Sequence, residues 1–276
     1  MAVRAYLPRI AFGAAAVCVV LYLLMCLYFF LHQRSFLFPV PLGALRPSNP
    51  LLRVVEIDAG ARPVFVSYLP AATGLPTLVF YHGNGEQLAD SESLALALGD
   101  LEFGFFSVEY PGYGLARGQP TSEHSIVDAS VVALRYLQKT LKVSNSSIVL
   151  FGQSLGTGVA AQMAARGYGA KLILASPYTS IPEVGARLLP FIPVELLARD
   201  RFDTRTLAPR VKIPVLIIHG NRDELIPVSM AQSLAQLFPH SRLLVIPEAR
   251  HNDILEVDRT STLRAIVDFS KLETVH

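Results

Sequence analysis

Cysteine is scarce in this chain, net charge is nearly absent, and the common cofactor-binding patterns are missing. Only two cysteines occur in 276 residues. Both, Cys18 and Cys26, fall in one apolar segment, so the rest of the chain has no disulfide framework and no thiolate for a metal. There is no His-x-x-x-His pair. The glycine-rich loops lack both the phosphate-loop lysine and the dinucleotide fingerprint. Neither a metal nor a nucleotide cofactor is therefore expected. A formal charge of +2 leaves no electrostatic footprint for nucleic acid. Internal repeats and low-complexity tracts are also lacking. What the chain does have is apolar residues, 51% of the total, enough for a sizeable core in one large α/β domain or two small ones.

The first such concentration is Ile10 to Leu31, a run without a single charge. As a helix it would extend about 33 Å, enough to cross a hydrocarbon core of about 30 Å. Tyr22, Tyr28, Phe29 and Phe30 crowd its second half, where an aromatic belt belongs. A cleaved signal peptide is the competing reading. The run is longer than the usual apolar core of one, and His32-Gln33-Arg34 follows in place of a small-residue cleavage site. An uncleaved single-pass anchor in the lipid bilayer is expected. Arg4 and Arg9 before it favour an N-inside orientation, with the main domain on the non-cytoplasmic side.

Prolines 39, 41, 47 and 50 then suggest an extended linker. The organisation expected is an anchor over residues 1–34, a proline-rich linker over 35–51 and a catalytic domain over 52–276. Within that domain apolar runs alternate with helical spacing. Strands are predicted at 52–57, 63–69, 77–81, 104–109, 147–151, 171–175, 214–219 and 242–246. Helices are predicted at 126–140, 157–166, 228–238 and 261–272. Eight strands alternating with helices imply a mostly parallel sheet covered on both faces. The stretch from Ser180 to Lys212, broken by four prolines, is too long for a plain loop. One or two short helices forming a small lid beside the active site are expected there.

Chemistry enters at Gly152-Gln153-Ser154-Leu155-Gly156, between a β-branched run and an alanine-rich helical stretch. A serine on such a sharp strand-to-helix turn has its hydroxyl exposed above the sheet, and small residues two before and two after let the turn close. A serine hydroxyl needs a base, and the base needs an orienting carboxylate. Two later loops, each after a predicted strand, supply candidates: Asp223 in Gly220-Asn221-Arg222-Asp223-Glu224, and His251 in Glu248-Ala249-Arg250-His251-Asn252-Asp253. In a parallel sheet these loops share the carboxyl edge. Asp223 is preferred to Glu224, and Asp253 lies too close to His251 in sequence to orient its ring. The loop His82-Gly83-Asn84-Gly85 is expected to give one oxyanion donor, from Asn84 in preference to Gly85, and the Leu155 N–H the other. His82 is read as a hydrogen-bonded structural residue. Tyr110 to Gly114 is expected to shape a pocket wall.

Five ordered blocks carry a resemblance. Tyr81-His82-Gly83-Asn84-Gly85, Glu109 to Gly114, Gly152 to Thr157, Ile218 to Asp223 and His251-Asn252-Asp253-Ile254 are similar to the corresponding stretches of the α/β-hydrolase superfamily, in particular its membrane-associated ABHD-type serine hydrolases and their microbial relatives. The resemblance implies an α/β-hydrolase fold and a serine hydrolase acting on carboxylic esters or thioesters through Ser154, Asp223 and His251. It also implies a small-molecule, lipid or acylated-protein substrate. A serine peptidase on the same fold is the enzymatic alternative, and a membrane-tethered binding module the non-catalytic one. Those relatives commonly carry a glycine before the histidine, where this chain has Arg250.

Overall fold

Apolar runs such as Thr77–Tyr81, Gly104–Val108 and Val215–Gly220 have no polar face, so they are stable only as strands covered on both sides. The computed structural model places them in that way; it describes residues 2–60 and 62–271, with side chains from Phe12 onward. Eight strands form one sheet: β1 (Arg53–Ile57), β2 (Val64–Leu69), β3 (Thr77–Tyr81), β4 (Gly104–Val108), β5 (Ile148–Gln153), β6 (Lys171–Ala175), β7 (Val215–Gly220) and β8 (Ser241–Ile246). Their spatial order is β1-β2-β4-β3-β5-β6-β7-β8. Only β2 is antiparallel to its neighbours; the remaining pairs are parallel.

Alternation along the strands divides the core into two layers. Val79, Tyr81, Phe106, Leu150, Leu174 and Ile217 face one side, and Leu78, Phe80, Phe105, Phe151, Ile173 and Ile218 the other. The first layer is covered by α3 (Glu123–Lys139), α4 (Leu155–Ala165) and α8 (Val228–Leu237). The second is covered by α2 (Glu92–Gly99), which the sequence reading did not anticipate, and by α9 (Arg259–Ser270). Helix α3 starts where Ser122 accepts the Ser125 N–H, a capping interaction that satisfies one orphan donor. Helix α4 is buried along its whole length from Leu155 to Ala164. Its glycines permit close approach: a Cβ on Gly158 would collide with the Tyr178 hydroxyl and with Phe202.

Between β6 and β7, where one or two short helices were expected as a lid, lie three: α5 (Ile181–Leu188), α6 (Val194–Leu197) and α7 (Thr204–Leu207). Ser180 caps α5 by accepting the Glu183 N–H, and Pro182 sits in its first turn, where a missing N–H costs nothing.

The N-terminal helix α1 runs from Ala2 to Leu37. Its segment Phe12–Leu37 is long and apolar enough to cross a membrane and is almost wholly exposed. The helix continues past the boundary at residue 34 and is docked on the domain. Arg34 donates to both oxygens of Asp200, at 2.6 and 3.1 Å. Gln33 donates to the Leu197 carbonyl and accepts the Arg199 N–H. The segment that follows is held as well, unlike a free linker. Phe38 is buried against Phe202, the Leu45 N–H donates to Gln87, and Ser48 and Asn49 donate to the Glu92 carboxylate.

Candidate active site

At the end of β5 the chain turns into α4 through Ser154, whose φ of 48° and ψ of −117° lie in a region that side-chain-bearing residues rarely adopt. Neighbouring contacts hold it there. The Ser154 N–H donates to the Ala175 carbonyl at 2.9 Å, and its carbonyl accepts from both the N–H and the hydroxyl of Thr157. The flanking glycines are required by space. A Cβ on Gly152 would enter the Gly156 carbonyl, and one on Gly156 would enter the Tyr81 carbonyl on the adjacent strand.

The three loops meet at the carboxyl edge of the sheet. Ser154 Oγ lies 2.8 Å from His251 Nε2, and His251 Nδ1 lies 2.7 Å from Asp223 Oδ2. A carboxylate accepts only, so Nδ1 carries the proton and Nε2 is left to accept from the serine hydroxyl. The His251 side chain is 12% exposed, open enough to meet substrate and water. Asp223 is buried. Its Oδ1 accepts the N–H groups of Leu225 and Ile226, at 3.0 and 2.8 Å. Burial alone would raise its pKa, but hydrogen bonds from His219, His251 and the Ile226 N–H outweigh that and hold the carboxyl well below the usual range.

Glu224 is exposed. Asp253 accepts the Arg250 N–H at 2.5 Å, and so shapes the loop that carries His251. The departure at Arg250 also has a backbone reading. Arg250 does not take a positive φ, and the left-handed position in this loop falls on Glu248 at 64°.

The loop after β3 lies beside the elbow. Its Gly83 N–H is occupied by Glu86 Oε2 at 2.7 Å. The N–H groups of Asn84 and Leu155 donate to no other described residue. The Asn84 side chain is held from two directions, donating to the Leu37 carbonyl at 2.7 Å and accepting the Tyr113 hydroxyl at 2.8 Å. Behind the loop His82 is fully buried and lies against Tyr110, with ring centroids 3.9 Å apart and planes tilted by 32°. Its Nδ1 contacts the Gly83 carbonyl at 2.9 Å. Burial drives the His82 pKa down to about 4 and the Glu109 pKa up to about 7. The 3.7 Å between His82 Nε2 and Glu109 is beyond hydrogen-bond reach, and burial disfavours the charged form of each group. Tyr110 and Tyr113, expected in a pocket wall, are buried and brace this loop, Tyr110 by donating to the His82 carbonyl.

Two contacts were missed from the sequence. His219, buried at the end of β7, donates through Nε2 to the Ile226 carbonyl at 2.8 Å and lies 3.3 Å from Asp223. The Ser176 hydroxyl, on a residue with φ of 51°, donates to the His251 carbonyl at 3.2 Å. Histidine four residues before the acid was the available clue to the first; nothing local marks the second.

Comparison with known proteins agrees with this architecture. A family model described as alpha/beta hydrolase fold matches residues 175–258, and one described as serine aminopeptidase, S33 matches residues 75–202. A putative alpha/beta hydrolase of Acanthamoeba polyphaga mimivirus is 32% identical over 196 residues, covering 70% of this chain and 73% of its own. The chain belongs to the α/β-hydrolase superfamily. An uncharacterized protein of Mycobacterium tuberculosis is 33% identical over 219 residues, 78% of this hydrolase and 77% of the relative. Among solved structures, an esterase of Pyrococcus furiosus superposes with a TM-score of 0.68 at 18% identity, over 83% of this chain and 97% of that one. At that identity it speaks for the fold alone.

Proposed function

We propose that this hydrolase is a membrane-anchored serine hydrolase that cleaves carboxylic esters or thioesters through an acyl-enzyme. The observation that carries the reading is the unbroken relay from Ser154 Oγ to His251 to Asp223, at 2.8 and 2.7 Å, on a strained elbow. In this mechanism His251 Nε2 takes the serine proton as Oγ attacks the carbonyl carbon. Asp223 holds the imidazolium so formed, and the free N–H groups of Asn84 and Leu155 receive the oxyanion. Collapse returns the proton to the departing alcohol or thiol. Water, deprotonated by His251, then releases the acid. The apolar segment Phe12–Leu37 serves as the anchor.

The match to a family described as serine aminopeptidase supports a second reading, hydrolysis of an N-terminal amide. A fluorophosphonate probe should label the wild type and fail on Ser154→Ala. Turnover of a panel of p-nitrophenyl esters, acyl thioesters and aminoacyl p-nitroanilides then separates the two readings. Esterase activity surviving in Ser154→Ala removes the first.

A further inference from the structure

Between α1 and the lid lies a cavity of about 360 Å³, within the size range of small-molecule sites. Phe29, Phe36 and Leu37 form one wall, and Val184, Leu188 and Leu197 of α5 and α6 the other. Its polar side chains, Gln33 and Asp200, are already engaged. Gln33 is bonded to Leu197 and Arg199, and Asp200 to Arg34 and to the Glu123 N–H. An occupant therefore finds apolar surface and no free hydrogen-bonding group, which suits a hydrocarbon chain and excludes a headgroup.

Two features relate the cavity to the loop beside Ser154 and to the membrane helix. At the inner end, Leu37 is in the cavity wall while its carbonyl accepts from Asn84, in the loop beside Ser154. At the outer end, the lid exposes Leu188, Phe191 and Leu196 at 55%, 81% and 83%. These stand next to a helix fit to cross a membrane, linked to it by the Gln33 contacts and by Arg199 over the Phe30 ring. Exposed apolar side chains grouped in this way mark an interfacial surface rather than one facing bulk water. The two lid helices pack closely on each other along this wall, because a Cβ on Gly185 would meet Val194 at 2.7 Å.

We propose that this cavity is the acyl-chain site of the enzyme, jointly walled by the membrane helix and the lid, so that a long-chain acyl substrate enters it from the bilayer. This rests on the serine hydrolase reading above and deepens it by naming the substrate class. The membrane helix is then a wall of the binding site as well as an anchor.

The test uses full-length enzyme in micelles and compares the rates at which ethyl, octyl and hexadecyl fluorophosphonates label Ser154. The rate should rise with chain length until the cavity is full, by less than the roughly fourfold per methylene that transfer from water implies, because the micelle already shelters the longer chains. Leu188→Trp, at an exposed wall position, should flatten the profile at a shorter chain. Leu101→Trp, exposed elsewhere, should leave the profile unchanged. Thermal melts establish that each variant is folded. A flat wild-type profile, or a Leu188→Trp profile matching wild type, overturns the acyl site while leaving the hydrolase reading intact. So does a dimer that Leu188→Trp dissociates without altering the profile, because the cavity would then be an interface between copies. Failure of even the ethyl probe to label Ser154 overturns the hydrolase reading and this proposal with it.

Discussion

Cutting the chain at residue 34, the boundary its composition suggests, should damage the domain, whereas cutting at residue 27 should spare it. Chains beginning at Tyr28 keep Phe30, Gln33 and Arg34; chains beginning at Ser35 lose all three. The Asp200 carboxylate is 3% exposed, and Arg34 supplies two of its hydrogen bonds. Its remaining partner is the Glu123 N–H at 2.9 Å. Removing one partner of a buried pair costs about 3–5 kcal/mol. The Arg34 side chain is 39% exposed, so water replaces part of its contribution, and about 2 kcal/mol is the appropriate loss. For a domain of this size that lowers Tm by about 4–8 °C. Calorimetry of the two truncated chains in the same detergent at pH 7 measures the difference. Adding Asp200→Asn to the shorter chain should restore most of it by removing the stranded charge. Equal melting temperatures for the two chains would refute the view that Arg34 belongs to the domain.

Asp223→Asn should retain the fold and lower kcat by about 10⁴, because the imidazole is then held in the wrong tautomer; steady-state ester turnover within tenfold of wild type would speak against the relay. Gly156→Ala should abolish probe labelling and lower Tm together, since its Cβ has no space beside the Tyr81 carbonyl. Glu109→Gln should expose an acid sensitivity that wild type conceals. Between about pH 4.5 and 6.5 the unfolded chain carries a charged His82 and a charged Glu109, whereas the folded one holds both neutral, so the proton counts match and the two dependences offset. With glutamine in place, the depressed His82 pKa acts alone, and stability present above pH 6.5 falls by about 3 kcal/mol as pH drops toward 4. Urea unfolding at pH 7 and pH 4.5 reads the difference, and parallel losses in wild type and variant would remove this account.

The parts of the site visible in the sequence were those set by local rules. Ser154 stands out because the elbow needs glycine on both sides, and Asp223 and His251 because each follows a strand whose apolar run is unmistakable. Asn84 could be named as a candidate for the same reason, since its loop also follows such a strand. Hidden were contacts between distant segments, which leave no local trace. Arg34 and Asp200 are 166 residues apart, and nothing near either marks the other. The proline-rich composition of residues 35–51 read as an extended tether, because prolines exclude helix but say nothing about docking. Helix α2 was missed for a different reason: Glu92 to Gly99 is a short, nearly unbroken apolar stretch in which 3.6-residue spacing is hard to see.

The register between β3 and β5 carries a consequence of its own. Tyr81 stands opposite Gly152 in the parallel ladder. Asn84 is three residues beyond the first and Leu155 three beyond the second, so the two N–H groups proposed for the oxyanion leave the sheet in step. The ladder thus brings the two loops off the sheet side by side, and the elbow glycines and the contacts that hold Asn84 then set the final placing of the donors. Deleting one residue within β3 would put those donors out of step at once, since the strand has no polar face to spare for a slipped pairing.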